Sequence, residues 1–520
     1  MTGSTLQTDL VRGRTLIETH TAWVFLDEQL VWKVKKPVDY GFLDYSTLAK
    51  RKAACEAEVA LNARLAPSVY LGVDPVTRDA SGHHLAGAGD VVDYAVRMRR
   101  LSDETRADLR LANGALSHDD IRAIAEYLVQ FHARMPTSDE IARFGAPEAI
   151  LANVRENFSQ TRDSIGAHLG PAKARELERT QVGFVERNAE LFRSRAARGR
   201  VRDGHGDLRL EHVYLTDDGP PQIIDCIEFN ERFRYADVCA DIAFLSMDLE
   251  RLGRADLAEY LLASYASASG DHELYRVVDF YEGYRAYVRG KVASILAADA
   301  GAAEATRQTA ERAARLAYLL SLSEGRKRLL EPCVVAVGGI IASGKSTVAA
   351  AVGRMASAPV VEADRVRKEL AGVPATTPLG GGAWSGAYAS EETARVYAEL
   401  VRRAGFVLES GRPVVLDASF RSPELRALAV ELARRHAAPF YFVECRADLD
   451  ECRRRLRLRS RGPSVSDGRL EIFDAFVAAY RPADELPAGA RLLLDTALPL
   501  EANELRLDEF LPTWPRGFTR

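Results

Sequence analysis

A chain of 520 residues exceeds what one hydrophobic core supports, so two or three domains are expected. Hydrophobic residues make up 47% and charged residues 28%, an ordinary globular balance, and a formal net charge of −4 exerts no pull toward nucleic acid or an anionic membrane. No run of about 20 apolar residues spans a bilayer and Met1 to His20 lack the apolar stretch of a signal peptide, while six scattered cysteines without a Cys-x-x-Cys pair argue for reduced thiols in a cytoplasmic protein and against a disulfide framework or zinc module.

Trp23 to Leu26 and Leu30 to Val34 read as two strands joined by the polar turn Asp27-Glu28-Gln29. Lysines follow at 33, 35 and 36, and a helical pattern from about Ser46 to Leu65 carries Glu56 and Glu58. A strand lysine facing a helix glutamate is how kinase-like folds hold ATP phosphates. The same pairing is more often a solvated ion pair. Which of Lys33 and Lys35 meets which of Glu56 and Glu58 stays open at this point. Val91 to Met98 reads as a further strand, with Met98 to Leu101 a candidate hinge against adenine. Ile121 to Met135 is an amphipathic helix, apolar at Ile121, Ile124, Ala125, Leu128 and Phe131, and His132 at its end reads as a packed helix residue rather than a ligand. Pro147 to Arg200 is mostly helical and charged.

The chemistry-bearing stretch of this half runs from Arg202 to Leu215. It contains His205-Gly206-Asp207 and, five residues after the aspartate, His212; the strand Gln222 to Ile224 then ends in Asp225. That order is the spacing of a kinase catalytic loop and its metal-binding aspartate. Asp207 would accept the proton of an acceptor hydroxyl or orient it, and position 212 with Asp225 would hold Mg²⁺. His205 is expected to buttress the loop. These residues resemble the aminoglycoside phosphotransferase-like family of small-molecule kinases. The resemblance implies an α+β, protein-kinase-like, two-lobed domain over residues 1–325, with the Lys33 region supplying the ATP lysine and Asp241 bracing the catalytic loop. Helical segments from Leu252 to about Glu331 complete the lobe. The family usually carries asparagine where this chain has His212. Imidazole prefers softer ions than Mg²⁺, so His212 is a ligand, a hydrogen-bonding spacer or a mark of weakened catalysis. There is no Gly-x-Gly-x-x-Gly before Val24, and Thr19-His20-Thr21 would serve in its place.

A boundary is expected near 325 to 332, followed by a second domain over 326–520 with an α/β P-loop kinase fold and a parallel sheet. The apolar run Val334 to Val337 leads into Gly339, Ala342, Ser343, Gly344, Lys345, Ser346 and Thr347, and then into an Ala-rich helical pattern. Strand, phosphate loop, helix is the context in which this motif binds nucleotide: the glycines let backbone N–H groups turn inward, Lys345 reaches the β- and γ-phosphates and Ser346 ligates Mg²⁺. Asp364, after the second strand, is a candidate base or orienter of an acceptor hydroxyl, and Arg367 a candidate anion clamp. Asp364 reads equally as a helix N-cap. Ala371 to Ser390, rich in glycine and proline, reads as a mobile loop over the acceptor pocket. Asp417 ends the next apolar run and would bind Mg²⁺. Six arginines between 453 and 461 read as a solvated face, a nucleic-acid patch or a lid. The lid reading is preferred, with one or two arginines, Arg457 among them, at the nucleotide.

This second half is similar to the gluconokinase, adenylylsulfate kinase and polynucleotide 5′-kinase group. The chain as a whole resembles bacterial proteins that fuse an aminoglycoside phosphotransferase-like domain to a P-loop kinase domain. The resemblance implies ATP and Mg²⁺ as cofactors and a sugar or aminoglycoside-like acceptor, while the net charge and the lack of a long apolar run argue against a nucleic-acid or membrane partner. The alternative makes the C-terminal half a regulatory ATPase, a polynucleotide 5′-kinase or a toxin-like kinase.

Overall fold

In the computed structural model, which describes residues 3–515 apart from 40, 42, 217, 218, 323–327 and 463, the chain forms two compact units. One comprises Met1–Leu252 with Phe280–Leu322, and the other Gly253–Asp279 with Ser323–Arg520. The boundary expected at 325 falls within 323–327, outside the described residues.

The first unit is built on a six-stranded antiparallel sheet. Its order is Thr15–Glu18, Ala22–Leu26, Leu30–Lys35, Asp90–Arg99, Tyr70–Asp79 and Gly82–Leu85. Alternation explains the hairpin at its centre: Trp23, Phe25, Trp32 and Val34 point to one buried face. Asp27 closes the turn by accepting from the amides of Gln29 and Leu30 at 2.9 and 2.8 Å. Helix Leu48–Asn62, capped by the Thr47 hydroxyl, buries Arg51, Cys55, Glu58 and Asn62. This inward stripe is largely polar, and Arg51 anchors it by pairing with Asp93 on the Asp90–Arg99 strand at 2.9 Å. The helix expected at 121–135 spans His118–Arg134 and buries the five apolar residues named for it. A Ser117–Asp120 capping box starts it.

The second unit contains a five-stranded parallel sheet in the order Val360–Glu362, Val414–Asp417, Val334–Gly338, Phe440–Arg446, Arg491–Asp495. Val334–Gly338, buried along its whole length, is the central strand. Its apolar run needs no alternation because both faces are covered. Val348 and Val352 of helix Lys345–Ala356 pack with Val335, Val337, Val415 and Val443 in one core. Residues 253–279, expected to complete the N-terminal lobe, make contacts with this sheet and group with it. The Ser267 hydroxyl accepts from the Val360 amide at 2.9 Å, occupying the open edge of the sheet. Arg412, 2% exposed, donates to Glu259 at 2.6 Å and to Asp279 at 2.9 Å. These partners lie more than a hundred residues away in sequence, beyond any local pattern.

In the first unit, strands Val201–Asp203 and Tyr235–Asp237 pair antiparallel and carry the two ends of the catalytic-loop region. Their junction is fixed by Arg195, fully buried, which reaches Asp237 through two bonds of 2.7 and 2.8 Å. Asp237 also caps helix Val238–Arg251 by accepting from the Cys239 amide at 2.9 Å. Removing one partner of a buried pair leaves an uncompensated charge. Asp237→Ala is therefore expected to destabilise this unit by about 3–5 kcal/mol in urea denaturation; a loss below about 1 kcal/mol, the range of an exposed pair, would contradict this reading.

Candidate active site

In the first unit one lysine holds two carboxylates from distant parts of the chain. Lys33 Nζ donates to Glu58 Oε1 at 2.9 Å and to Asp225 Oδ1 at 2.7 Å. Lys35, two residues along the same strand face, donates to Glu58 Oε2 at 2.6 Å and to Glu228. Both lysines thus meet Glu58. Glu56 is exposed and lies 3.7 Å from Lys52. Burial would push Glu58 and Asp225 up, but the lysines outweigh it and hold both below the usual carboxylate range. Asp225 adopts φ +65°, a left-handed conformation. Its amide donates to the Tyr70 hydroxyl at 3.2 Å, and the next amide, of Cys226, donates to Asn62 Oδ1 at 2.8 Å.

The catalytic-loop segment is suspended from Asp241, whose carboxylate accepts from the amides of His205 at 2.7 Å and Gly206 at 2.9 Å. His132 Nε2 lies 3.3 Å from the same carboxylate, so the helix histidine is a hydrogen-bonded scaffold residue. A side chain at Gly204 would collide with Asp241, its Cβ falling 2.4 Å from Oδ2. Burial pushes His205 down to about 4, so it is neutral near pH 7. Its Nε2 donates to the Ile224 carbonyl at 2.9 Å, binding the loop to the strand that ends in Asp225.

Asp207 accepts from Arg209 Nε at 3.0 Å. Burial pushes its carboxyl up, but Arg209, His212 and Arg289 together outweigh that and hold it below the usual aspartate range. His212 Nδ1 lies 3.0 Å from the Asp207 carbonyl, while Nε2 lies 2.8 Å from Arg209 Nη2 and 3.6 Å from Asp225 Oδ2. With guanidinium always a donor, these contacts place the proton on Nδ1 and a lone pair on Nε2. Asp207, His212 and Asp225 therefore converge. Met98 does not join them: it is buried beside Tyr70 and Val96, and it pairs with Val31 on one side and Tyr70 on the other.

In the second unit the residues expected at the phosphate loop stand together. Gly339 has φ +143°, and a Cβ there would fall 2.5 Å from the Cys445 carbonyl; Ala342 and Gly344 have φ +62° and +86°. Three positive-φ residues in six turn the loop inward, ahead of the N-terminus of helix Lys345–Ala356. Thr496 Oγ1 donates to the Ser343 carbonyl at 2.7 Å, and the Ser343 hydroxyl is buried without a partner. Lys345 Nζ donates to the Ile340 carbonyl at 2.8 Å, ammonium folded over the loop. Ser346 hydrogen-bonds Asp417, which burial raises above the usual aspartate range despite Lys345. Thr347 is exposed on the helix's first turn.

A cavity of about 270 Å³ opens beside Lys345, Ser346 and Asp417 and is lined further by Glu362, Asp364, Arg367, Arg421 and Arg459. Asp364 accepts from Arg367 Nη1 at 2.7 Å, and no side-chain cap bond forms at its helix start. The Gly/Pro-rich segment supplies Tyr388 to the same lining and is tied down by Lys368, which donates to the Ala375 and Val465 carbonyls at 2.8 and 2.7 Å. Arg457 requires correction. It is exposed on helix Leu449–Arg459 and reaches neither the loop nor the cavity. With Cys452 and Leu456 facing inward, Arg459 falls toward the cavity and bonds Ser466 at 3.2 Å, while Arg455 reaches Thr496 and the Ala342 carbonyl. Arg453 and Arg454 pair with acidic neighbours, the solvated face of the helix. Glu228, Arg209, Glu362, Arg421 and Arg459 were not assigned from the sequence. The spacing of Lys33 to Lys35 and of Leu456 to Arg459 was the available signal for two of the contacts.

Residues 38–281 match the phosphotransferase enzyme family and residues 334–483 the AAA domain family. Together with the two-part fold, these define a phosphotransferase enzyme of the kinase class. The chain belongs to the family of uncharacterized proteins from Mycobacterium tuberculosis and Mycobacterium bovis that are 35% identical to it over 484 residues, 93% of this chain and 92% of theirs. Solved structures with partial likeness include a choline/ethanolamine kinase family protein from Mesorhizobium loti (15% identity, 60% of this chain, 91% of that chain, TM-score 0.36). A gluconokinase from Sinorhizobium meliloti is another (21% identity, 35% of this chain, 95% of that chain, TM-score 0.25). No helix among the described residues is long and apolar enough to cross a membrane.

Glu362 offers a test of the cavity's electrostatics. Burial, then the neighbouring Asp417, push its carboxyl up to about 7. Below about pH 4.5 both folded and unfolded states hold the proton, and above it the unfolded chain releases first. Stability thus falls with rising pH until about 7 and levels off beyond. Glu362→Gln is expected to be more stable than wild type at pH 8, by on the order of 1–3 kcal/mol, with the gain shrinking toward pH 5. Urea denaturation without nucleotide or divalent metal measures it; a gain independent of pH would contradict the assignment.

Proposed function

We propose that the chain is an ATP-dependent kinase with two nucleotide sites, each transferring the γ-phosphoryl group to a hydroxyl of a small molecule. The observation that carries this is a shared arrangement. In each unit a lysine lies beside a strand-end aspartate, Lys33 with Asp225 and Lys345 with Asp417, and a second aspartate, Asp207 or Asp364, stands by.

The residues fit Mg²⁺ and ATP. Among the described residues no group of three or more His, Cys, Asp or Glu side chains forms a cage, and a metal that keeps several waters and is bridged by phosphates needs only one or two protein ligands. In the second unit these would be Ser346 and Asp417, with the loop amides and Lys345 for phosphate oxygens and Arg459 in the cavity lining. In the first unit Asp225 and the Nε2 lone pair of His212 would serve, with Lys33 for phosphate, positioned by Glu58. When bound, Mg²⁺ and ATP supply the transferable phosphoryl group and neutralise charge between phosphate oxygens. Asp207, held ionised, would orient the acceptor hydroxyl and take its proton, and Asp364 has the same place in the second unit. The six cysteines are buried and none forms a disulfide, which suits a reducing cytosol.

The test is ATP consumption by the full chain across sugars, aminoglycosides, nucleosides and 5′-hydroxyl oligonucleotides. Lys345→Ala is expected to lower turnover at one acceptor class by about 100-fold or more. Asp207→Asn is expected to do so at another, by about 10²–10⁴. Turnover that survives Lys345→Ala intact but vanishes with Asp207→Asn would leave the C-terminal site a regulator. Turnover indifferent to both would end the kinase reading.

A further inference from the structure

One guanidinium, that of Arg209, spans the candidate base and a candidate metal ligand of the first unit. Its Nε donates to Asp207 Oδ2 at 3.0 Å, its Nη1 to the exposed Glu211, and its Nη2 to His212 Nε2 at 2.8 Å. The contact with the histidine has a consequence for metal binding. His212 is 7% exposed, and its Nδ1–H is committed to the Asp207 carbonyl at 3.0 Å. A neutral imidazole then has a single lone pair left, in the ring plane at Nε2. That atom lies 3.6 Å from Asp225 Oδ2, so its lone pair is the one a divalent metal held by Asp225 would need. Arginine and metal therefore exclude each other at Nε2. An asparagine oxygen, with two lone pairs, would accommodate both.

We propose that Arg209 is the phosphoryl-holding residue of the first site, its Nη2 passing from His212 to a γ-phosphate oxygen as the metal takes the Nε2 lone pair, while its Nε stays on Asp207. The proposal rests on reading the first unit as a kinase site. Guanidinium is a donor throughout, so no proton moves in the exchange: Arg209 gives up a bond to a neutral nitrogen and gains a charge-assisted one to phosphate. Asp207 keeps Oδ1, which takes no bond among the described residues, for the acceptor hydroxyl. One planar fork then sets the distance between base and transferring group, and its charge falls where the transition state gathers negative charge. Helix Val278–Ala298 favours the same move. Arg285 docks it on the loop by donating to the Gly206 carbonyl at 3.0 Å, and Arg289, one turn on, lies on that face without a hydrogen bond or ion pair among the described residues. Burial and then the Arg209 charge push the pKa of Arg289 down, so withdrawal of Arg209 toward an anion relieves a repulsion already present. Metal and triphosphate are thereby coupled, because a diphosphate has no γ-oxygen to draw the arginine off the histidine.

The experiment uses the full chain carrying Lys345→Ala and Asp417→Asn, which silence the second site. Electron paramagnetic resonance follows Mn²⁺ binding without nucleotide. Arg209→Gln is expected to strengthen it about tenfold where residue 212 is histidine, and by less than about twofold in the His212→Asn background. Equal strengthening in both backgrounds would be charge repulsion alone and overturns the exchange, as does no strengthening in either. Calorimetry then compares a non-hydrolysable ATP analogue with ADP, each with Mg²⁺. Arg209→Gln should cut the preference for the analogue about tenfold while ADP affinity changes less than about twofold, and Arg209→Lys should restore part of the preference. An unchanged preference, or a parallel fall for both nucleotides, overturns the assignment of Arg209 to the γ-phosphate. If the folded parent chain bound no analogue, the kinase reading of the first unit would fall instead.

Discussion

Glu58 and Asp225 stay ionised inside the first unit because Lys33 stands between them. Burying the Glu58 carboxylate alone would cost several kcal/mol. The lysine offsets that cost only if a strand, a helix and a distant loop arrive at the same point. The ion triad is therefore a constraint on tertiary structure before it is a device for chemistry. It holds Asp225 in a left-handed conformation that costs roughly 1 kcal/mol or more. His205 and Asp241 then fix the loop bearing Asp207 to that same strand end. Lys35 and Glu228 repeat the pairing one layer deeper, so the lysine strand cannot slide without stranding charge.

The second unit is arranged differently. Asp417 is raised rather than lowered, since Lys345 spends its hydrogen bond on the Ile340 carbonyl and burial prevails. Glu362, Asp364, Arg367 and Arg421 bring both signs of charge to the same lining, Asp364 and Arg367 as an ion pair. On the proposed reading, a divalent cation completes the side of this cavity that Asp417 forms. The first unit carries its neutralising cation in its own chain. The second, on the proposed reading, takes its own from solution.

Much of this was legible in the sequence. The phosphate loop, its strand and its helix follow from glycine spacing and an apolar run. The central hairpin follows from alternation around Asp27. Asp207, His212 and Asp225 were placed by spacing alone, and they do converge. The misses have identifiable causes. Positions 33 and 35 share a strand face, so asking which lysine pairs with glutamate had no single answer. Glu58 rather than Glu56 turns inward because the buried stripe of its helix is polar, which hides helical phase from a search for apolar periodicity. Arg457 failed for a related reason: within an arginine-rich helix only Cys452 and Leu456 report which side is buried. The contacts of residues 253–279 with Arg412 and Val360 involve partners no local window contains.

Nucleotide stoichiometry tests the two-site account most directly. Calorimetric titration of the full chain with a non-hydrolysable ATP analogue and Mg²⁺ should give two equivalents bound, falling to one in Lys33→Ala, to one in Lys345→Ala and to none when both are combined. A single equivalent in the wild-type chain, or two that persist in either variant, would contradict it.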